Sequence, residues 1–356
     1  MNQQPLGEKP LSGVSVLDFS ELAPGPFMTQ CLREMGADVL KIERPPHGDG
    51  ARRMQPGGFA VLNHGKHSRF VDLKDAAQLS DVRDLAARAD IVVEGFRPGV
   101  MERLGLGYAA LAQRNARLVY VSISGYGQSG PLAQSPGHDV NYMATAGMIS
   151  LSGGLGQPPR DAIGVPVGDF CSSMYALSSA LAALLQARTS GVGQHLDVAI
   201  TDCLTHWMNP RLGHFQRAGI ETLEAQRNDV FSKAAYGVFE TADPGEYVAV
   251  GALEDAFWAR LVTALGLDIP GIDHASLKVR KAQAAQINAV LSARLAQMKA
   301  AAIVDTLTLA DVPVSRVVEP ATLAHTPHAV ARRLFGVVDG LHYVKFPVKM
   351  AGGVGE

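Results

Sequence analysis

Cysteine is scarce in this sequence, and Cys31, Cys171 and Cys203 stand far apart along the chain. This spacing excludes a disulfide framework and a cysteine-ligated metal site, both of which use closely spaced thiols. The N-terminal segment lacks the apolar core of a signal peptide, and no uninterrupted apolar run reaches membrane-spanning length. We therefore expect a cytoplasmic protein with no membrane partner.

Excess charge of either sign is also missing, because 32 Lys and Arg residues oppose 34 Asp and Glu residues. A formal net charge of −2 gives no support to a nucleic-acid partner. The 356 residues, 47% of them hydrophobic, are enough for one large domain and a smaller one.

The N-terminal part of the sequence alternates strand and helix patterns. A strand–helix–strand unit is formed by "VSVLDFS", "FMTQCLREMGA" and "DVLKIERP", and further strands follow in "RFVDLK", "DIVVEGF", "ARLVYVSISG" and "TSGVGQHLDVAI". This alternation predicts an α/β fold with a doubly wound parallel sheet, joined to a smaller α+β domain. The predicted boundaries are 1–210 for the first part of the large domain, 211–325 for the small domain and 326–356 for a return to the large domain.

The first strand–helix turn does not carry a dinucleotide fingerprint. Its only glycine lies between two prolines, and Glu43 stands where an acid would hold a ribose but is followed at once by Arg44. An arginine at the carboxyl end of a parallel strand suits a free phosphate group. Lys74, Arg97 and Arg103 follow neighbouring strands, so these cations either gather round one polyphosphate or are separate exposed charges.

The stretch "SPGHDVNYM" places a histidine at the entrance to a helix. Pro136 and Gly137 predict a turn, and Asp139 is placed to cap the helix that follows. His138 is then either an incidental turn residue or a base held toward a cleft, since imidazole titrates near neutrality.

Two acids occupy predicted strand-to-helix junctions. Asp169 follows a predicted strand that ends at Gly168, which makes it a helix N-cap, or a base or nucleophile at the ligand edge of the sheet. Glu254 follows the strand "YVAVG", where it either complements a helix dipole or orients an imidazole. No residues have metal-ligand spacing, so no metal site is predicted.

The sequence resembles the class III coenzyme A transferase superfamily, and most closely the α-methylacyl-CoA racemases, in a series of motifs. In chain order these include "LSGVSVLDFSELAPGP", "LREMGADVLKIERP", "VEGFRPGVMERLGLGY", "GHDVNYMATAGM", "VPVGDF", "SGVGQHLDVAITD" and "YVAVGALE". The likeness implies a Rossmann-like large domain that holds an acyl-CoA thioester at its edge. It also implies an interlocked homodimer, with no cofactor besides the coenzyme A of the substrate. The coenzyme A contacts that it implies are Arg44, Val71, Asp72, Leu73, Lys74, Gly95, Phe96, Arg97, Arg103, Gly137, Asp139, Val140, Asn141 and Tyr142.

The resemblance implies catalytic roles as well. His138 and Asp169 match the racemase pair of bases, which remove a proton from one face of the carbon next to the thioester and return one to the other face. In this assignment His138 acts on the 2S epimer and Asp169 on the 2R epimer, while Glu254 supports the histidine. Asp169 must then hold a proton for half of the cycle, which requires a pKa raised by an apolar setting. For the enolate oxygen we expect the backbone N–H of Asp139 as donor.

Two other functions stay open on this evidence. A coenzyme A transferase of the same superfamily would use Asp169 as a nucleophile and form an aspartyl thioester, whereas an acyl-CoA-binding protein without catalysis would need none of the three acid–base residues. His138 favours the racemase, because the transferases generally lack a base there. His64 and His67 stand where relatives commonly carry arginines, which bears on the cations that meet the adenosine phosphates. The short segment after Phe346 predicts a trimmed return to the large domain.

Overall fold

The structure is a computed structural model that describes residues 9–160, 164–269 and 276–350. Of these, residues 153–158, 215–269 and 276–326 form one compact unit, and the rest form the other. The division falls after His214 and after Thr326. The second unit also includes 153–158, which the sequence boundaries at 210 and 325 assign to the large domain.

Six parallel strands form the sheet of the first unit. They are β1 (Ser15–Asp18), β2 (Asp38–Glu43), β3 (His67–Phe70), β4 (Ile91–Glu94), β5 (Val119–Ser124) and β6 (Gln194–Ala199). The order is β3-β2-β1-β4-β5-β6, with Leu17 of β1 opposite Leu40 on one side and Val92 on the other. The chain reverses its direction of growth between β1 and β4, and such sheets bind ligands at the carboxyl ends of the strands beside this point.

Helices lie between and after these strands in the chain. They are α1 (Pro24–Glu34), α2 (Ala51–Met54), α3 (Pro56–Asn63), α4 (Ala76–Ala86), α5 (Val100–Arg103), α6 (Tyr108–Ala112), α7 (Asp139–Thr145), α8 (Val167–Ser190), α9 (Ile200–Trp207) and α10 (Asn209–Ala218), which continues past the division after His214. Because side chains alternate along a strand, Val16 joins a core with Leu177 of α8, whereas Leu17 joins a second core with Val82 of α4. The predicted doubly wound α/β architecture is therefore confirmed.

The longest helix, α8, is the one helix of the described residues that is long and apolar enough to cross a membrane. It packs against α1, α9, β5 and β6, and Ala176, Leu177, Ala180 and Leu184 are buried in the core between them. It begins at Val167, so the residues just before Asp169 are helical and not the predicted strand. The first turn of α8 thus lies close to the carboxyl ends of the central strands.

The second unit is a smaller α+β structure. Its strands are β7 (Tyr236–Glu240), β8 (Tyr247–Gly251) and β9 (Val314–Arg316), which pair antiparallel in that order. Its helices are α11 (Leu223–Phe231), α12 (Asp255–Leu265), α13 (Leu277–Ala282), α14 (Ala284–Leu295) and α15 (Ala300–Leu309). Trp258 and Leu261 of α12 are buried with Ile287, Leu291 and Ile303 in a core of their own.

The last described residues belong to the first unit. They form α16 (Pro327–Arg332) and a hairpin of β10 (Phe335–Val338) and β11 (Leu341–Val344). Asp339 and Gly340 form its two-residue turn with φ values of 49° and 76°, as a turn with two left-handed residues requires. The N–H of Phe346 then donates to a carboxylate oxygen of Glu34 in α1 at 2.7 Å, which ties the segment to the first unit.

Candidate active site

Two contacts hold the turn that carries His138. The hydroxyl of Tyr142 donates to the carbonyl of Gly137 at 2.6 Å, and the N–H of His138 donates to Oδ1 of Asn141 at 3.0 Å. A Cβ on Gly137 would lie 2.6 Å from the ring of Tyr142, so this close packing requires glycine. The turn therefore fixes the backbone of His138 at the N-cap position of α7, with an exposed side chain.

The carboxylate of Asp139 caps a helix other than its own. Its Oδ1 accepts the N–H of Gly168 at 2.6 Å and the N–H of Asp169 at 3.0 Å, both in the first turn of α8. The expectation that Asp139 caps the helix after it is wrong, since His138 occupies that position. The reading of Asp169 as an N-cap is wrong too, because it is the third residue of α8. One carboxylate thus links the two helix starts that carry His138 and Asp169.

Removing this link should loosen both helix starts. We expect Asp139→Ala to lower the free energy of unfolding by about 1–2 kcal/mol, because two helix N–H groups lose their acceptor. Asp139→Asn keeps an acceptor oxygen and should retain most of that stability. Denaturant unfolding of the two variants beside the parent protein measures the difference, and equal stability of all three would contradict the proposed link.

His138 and Asp169 line one small cavity of 210 Å³, to which Ser124, Tyr142 and Ile200 also contribute. We call it the small cavity. Burial, with a further contribution from the charge of Asp139, raises the pKa of Asp169 to about 7. The carboxyl can therefore take up or release a proton near neutrality at little cost. The small cavity therefore has an imidazole and a readily protonated carboxyl on its wall.

A backbone donor also lies at this position. Among the described residues, the N–H of Asp139 at the start of α7 has no hydrogen-bond acceptor. It adjoins His138, and Asp139 itself lines the small cavity. An N–H at a helix start suits developing negative charge on an oxygen.

A cavity of 590 Å³ lies over the carboxyl ends of β2, β3 and β4, and we call it the large cavity. Arg44 follows β2, Lys74 follows β3 by four residues, and Arg103 ends α5. The large cavity brings these three cations together, which the sequence left open. Its lining also includes the predicted residues Val71, Asp72, Leu73, Gly95 and Phe96.

A third cavity, of 480 Å³, adjoins the other two, since it shares lining residues with each. Gly95 lines all three cavities, and His138 lines both the third and the small cavity. The remaining predicted contact residues on the wall of the third cavity are Arg97, Gly137, Asn141 and Tyr142. The predicted residues therefore line three adjoining cavities of the first unit, which we together call the hollow.

Two predicted residues are not brought to this hollow. Val140 is 45% exposed and is not among the residues that line the three cavities, because it lies on the outer side of α7. Glu254 belongs to the second unit, where it is the exposed N-cap residue of α12. Its support of His138 stays a prediction.

The acid at the end of β2 is not free to hold a ribose. Glu43 accepts hydrogen bonds from Nε of Arg52 at 2.7 Å, from Nη2 of the same residue at 2.8 Å and from the N–H of Asp49 at 2.9 Å. Despite its burial, these bonds lower the pKa of Glu43 to about 2. Its role is to hold the segment after β2, which agrees with the missing dinucleotide fingerprint.

Neither His64 nor His67 is among the residues that line the large cavity. A ring nitrogen of His64 lies 2.9 Å from Nε2 of Gln30, and the imidazole packs against the ring of Tyr343 in β11. His67 is exposed at the start of the edge strand β3. The cations of the large cavity are therefore Arg44, Lys74 and Arg103.

Two residues of the first strand–helix loop line the hollow although the sequence analysis did not single them out. Glu21 and Leu22 line both the large and the small cavity. Leu22 has a φ of 64°, which is rare for a residue with a side chain, and its N–H donates to Oδ1 of Asp49 at 3.0 Å. This bond comes from a residue 27 positions away, so no local signal in "SELAPGP" could have revealed it.

The sequence patterns also gave no prediction for a buried acid beside the hollow. Glu94 ends β4, is 4% exposed and accepts the N–H of Phe96 at 2.8 Å. Burial raises its pKa to about 7. The strand pattern "DIVVEGF" contains one polar residue among apolar ones, and that was the available signal. Glu94 positions the turn whose residues Gly95 and Phe96 line the large cavity.

Within the described part of the chain, no group of three or more His, Cys, Asp and Glu side chains could hold a metal ion.

The doubly wound sheet and this hollow define a class of protein, and the chain belongs to it: the profile of CoA-transferase family III matches residues 11–355. The chain is 31% identical to an acetyl-CoA:oxalate CoA-transferase of Acetobacter aceti, over 96% of this chain and 90% of that protein. It is 36% identical to the α-methylacyl-CoA racemase of Homo sapiens, over 72% of this chain and 65% of that protein. A succinate–glutarate CoA-transferase of Agrobacterium fabrum is 32% identical over 82% of this chain and 76% of its own length.

Solved structures agree with the family assignment. A CAIB/BAIF family protein from Brucella suis superposes with a TM-score of 0.85 at 27% identity, covering 97% of this chain and 93% of that one. The Rv3272 protein of Mycobacterium tuberculosis superposes with a TM-score of 0.84 at 30% identity, covering 97% and 94%. The resemblance stated from the motifs is thereby confirmed at the level of the family, whose relatives include both racemases and coenzyme A transferases.

Proposed function

We propose that this protein is a racemase that interconverts the 2R and 2S epimers of a 2-methylacyl-CoA thioester. The observation that carries the proposal is that His138 and Asp169, from two separate helix starts, line one small cavity. The raised pKa of Asp169 supports it, since a carboxyl that must carry a proton in one direction of the reaction needs such a value.

The proposed reaction moves two protons at one carbon. His138 takes the proton from the α-carbon of the 2S thioester, and the electron pair of that C–H bond moves onto the carbonyl oxygen to give an enolate. The free N–H of Asp139 stabilises this oxygen. Asp169, protonated at the start, then gives its proton to the opposite face, which leaves an imidazolium, a carboxylate and the 2R product. The reverse reaction exchanges the two roles.

A coenzyme A transferase is the second candidate, favoured by the names of the relatives from Acetobacter aceti and Agrobacterium fabrum. In that reaction the carboxylate of Asp169 attacks the thioester carbonyl and displaces the coenzyme A thiolate, which gives a mixed anhydride. The thiolate then attacks the aspartyl carbonyl of this anhydride and releases the donor carboxylate, so an aspartyl thioester forms. An acceptor carboxylate takes the coenzyme A by the same two steps in reverse, which regenerates Asp169. A base such as His138 has no necessary part in this reaction, so its place beside Asp169 in the small cavity favours the racemase.

Exchange of the α-proton separates the two reactions. The purified protein is incubated in heavy water with one epimer of a 2-methylacyl-CoA and no acceptor acid. We expect deuterium at the α-carbon and both epimers, detected by mass spectrometry and chiral chromatography. Absence of exchange, with transfer of coenzyme A to an added carboxylate and an intermediate trapped by hydroxylamine, would overturn the racemase.

The cations of the large cavity should bind the phosphates of coenzyme A. We expect Arg44→Ala to raise the KM of the thioester about 10- to 100-fold with little change in kcat, because one charge-assisted hydrogen bond is worth about 1.5–3 kcal/mol. Steady-state kinetics at two salt concentrations measure it, and the exposed Arg117 provides the control variant Arg117→Ala. A fall in kcat with unchanged KM would instead place Arg44 at the reaction centre.

A further inference from the structure

The small cavity is lined by acids and one imidazole, with no lysine or arginine among the described residues on its wall. The carboxyl groups belong to Glu21, Asp139 and Asp169, and the imidazole belongs to His138. The rest of the wall is uncharged, with the apolar Ile123 and Ile200 as examples.

Two of the three acids, Asp139 and Asp169, already have a role in the site. Asp139 accepts two N–H groups of α8, and Asp169 is the group proposed to carry the proton. Glu21 has no part in the proposed proton transfer, yet it lies at the point where the large cavity meets the small one. Its side chain is exposed to this hollow, and a backbone hydrogen bond from Gly50 holds its carboxylate.

The positive partners of Glu21 lie away from the small cavity. Burial and the charge of Asp49 raise the pKa of Glu21, while the charges of Arg44 and Lys41 act in the opposite direction. Arg44 lines the large cavity and not the small one, while Lys41 is buried in an ion pair with Asp49 at 3.0 Å. The cations that partly balance Glu21 are therefore absent from the described lining of the small cavity, where its carboxylate adds negative charge.

From this juxtaposition we infer that Glu21 is a specificity-determining residue, which restricts the site to acyl groups without a charge and rejects those with a second carboxylate. This inference rests on the proposed function for the placement of the acyl group in the small cavity. A carboxylate in the small cavity would lie near the acids Glu21 and Asp139, and no lysine or arginine is among the described lining residues. The free-energy cost of desolvating this carboxylate would therefore not be offset by an ion pair. An uncharged alkyl group pays no such cost and contacts Ile123 and Ile200.

The test compares two ligands that differ only in this charge. They are 2-methylbutanoyl-CoA and the 2-methylsuccinyl-CoA in which a carboxylate replaces the terminal methyl group. Their thioether analogues, in which a methylene replaces the carbonyl, can neither form an enolate nor be attacked. Calorimetry at about pH 8 gives the dissociation constants of the analogues, and deuterium exchange gives kcat/KM of the thioesters.

We expect the uncharged analogue to bind about 10-fold more tightly, from the repulsion of like charges and the partial loss of the carboxylate's hydration. Glu21→Gln keeps the size and a hydrogen-bond acceptor, and should reduce this preference about tenfold. The exposed Glu221 of the second unit supplies the matched control Glu221→Gln, which should leave the preference unchanged.

Equal affinity of the parent protein for both analogues, or a preference that Glu21→Gln leaves intact, would overturn the inference. Failure of the proposed function would look different. In that case neither thioester would exchange its α-proton, although the analogues would still be distinguished by their dissociation constants.

Discussion

Asp169→Asn should abolish racemisation while leaving the thioester bound. We expect the rate of α-proton exchange to fall about 10²- to 10⁴-fold, because an amide can neither accept nor return the proton. The KM should change little, since the cations of the large cavity are untouched. Deuterium exchange and equilibrium binding of coenzyme A measure the two effects. Full exchange activity in Asp169→Asn would refute the role of this carboxyl.

The same variant should change the dependence of stability on pH. The pKa of Asp169 is raised from 3.8 to about 7, so the folded protein holds a proton that the unfolded chain has already released in this interval. That stabilisation is fully present below pH 3.8 and is lost as the pH rises through 7. At about pH 8, Asp169→Asn should therefore be more stable than the parent protein, by roughly 2–4 kcal/mol.

Urea unfolding at several pH values measures this difference. The exposed Asp84, which pairs with Arg114 at 2.7 Å, provides the control variant Asp84→Asn. It should leave the exchange rate unchanged and should not reproduce the gain at high pH. The free energy of unfolding of the parent protein should fall between pH 4 and pH 8 relative to that of Asp169→Asn. If it does not, the burial of this carboxyl is contradicted.

His138→Gln separates the two candidate reactions, which both depend on Asp169. For a racemase we expect exchange from the 2S epimer to fall about 10²- to 10⁴-fold, because His138 is the base proposed for that epimer and an amide cannot accept the proton. Glutamine can occupy the turn, since the N–H of residue 138 can still donate to Oδ1 of Asn141 and a glutamine side chain also carries a hydrogen-bond acceptor. Transfer of coenzyme A to a carboxylate, were it the true reaction, would continue at nearly the parent rate.

The exposed His328 in α16 gives the control His328→Gln, which should be as active as the parent protein. The measurement is exchange from each epimer separately, together with coenzyme A transfer from the same preparations. Retained exchange from both epimers would contradict the assignment of His138 as a base.

Local patterns predicted much of the fold. The alternation of β-branched strands with helical stretches predicted a parallel, doubly wound sheet, and its order β3-β2-β1-β4-β5-β6 brings together the strand ends that precede Arg44, Lys74 and Gly95. Such patterns are reliable because the periodicity of a strand or helix depends on neighbours within a few residues. The prediction of a strand before Asp169 was wrong, because Val167 and Gly168 belong to the helix α8. The N–H of Gly168 bonds Asp139, about thirty residues away, and a local pattern does not reveal such a contact.

The sequence by itself determined the layered α/β architecture, the family and the two side chains proposed to move protons, since these follow from residue type, local periodicity and motif order. Only the tertiary structure decided that Asp139 joins two helix starts, that burial brings the pKa of Asp169 to about 7, and that Glu21 lies between two cavities. The physical reason is that burial, capping across helices and electrostatic environment come from residues distant along the chain, and these meet only when the sheet and its helices have packed.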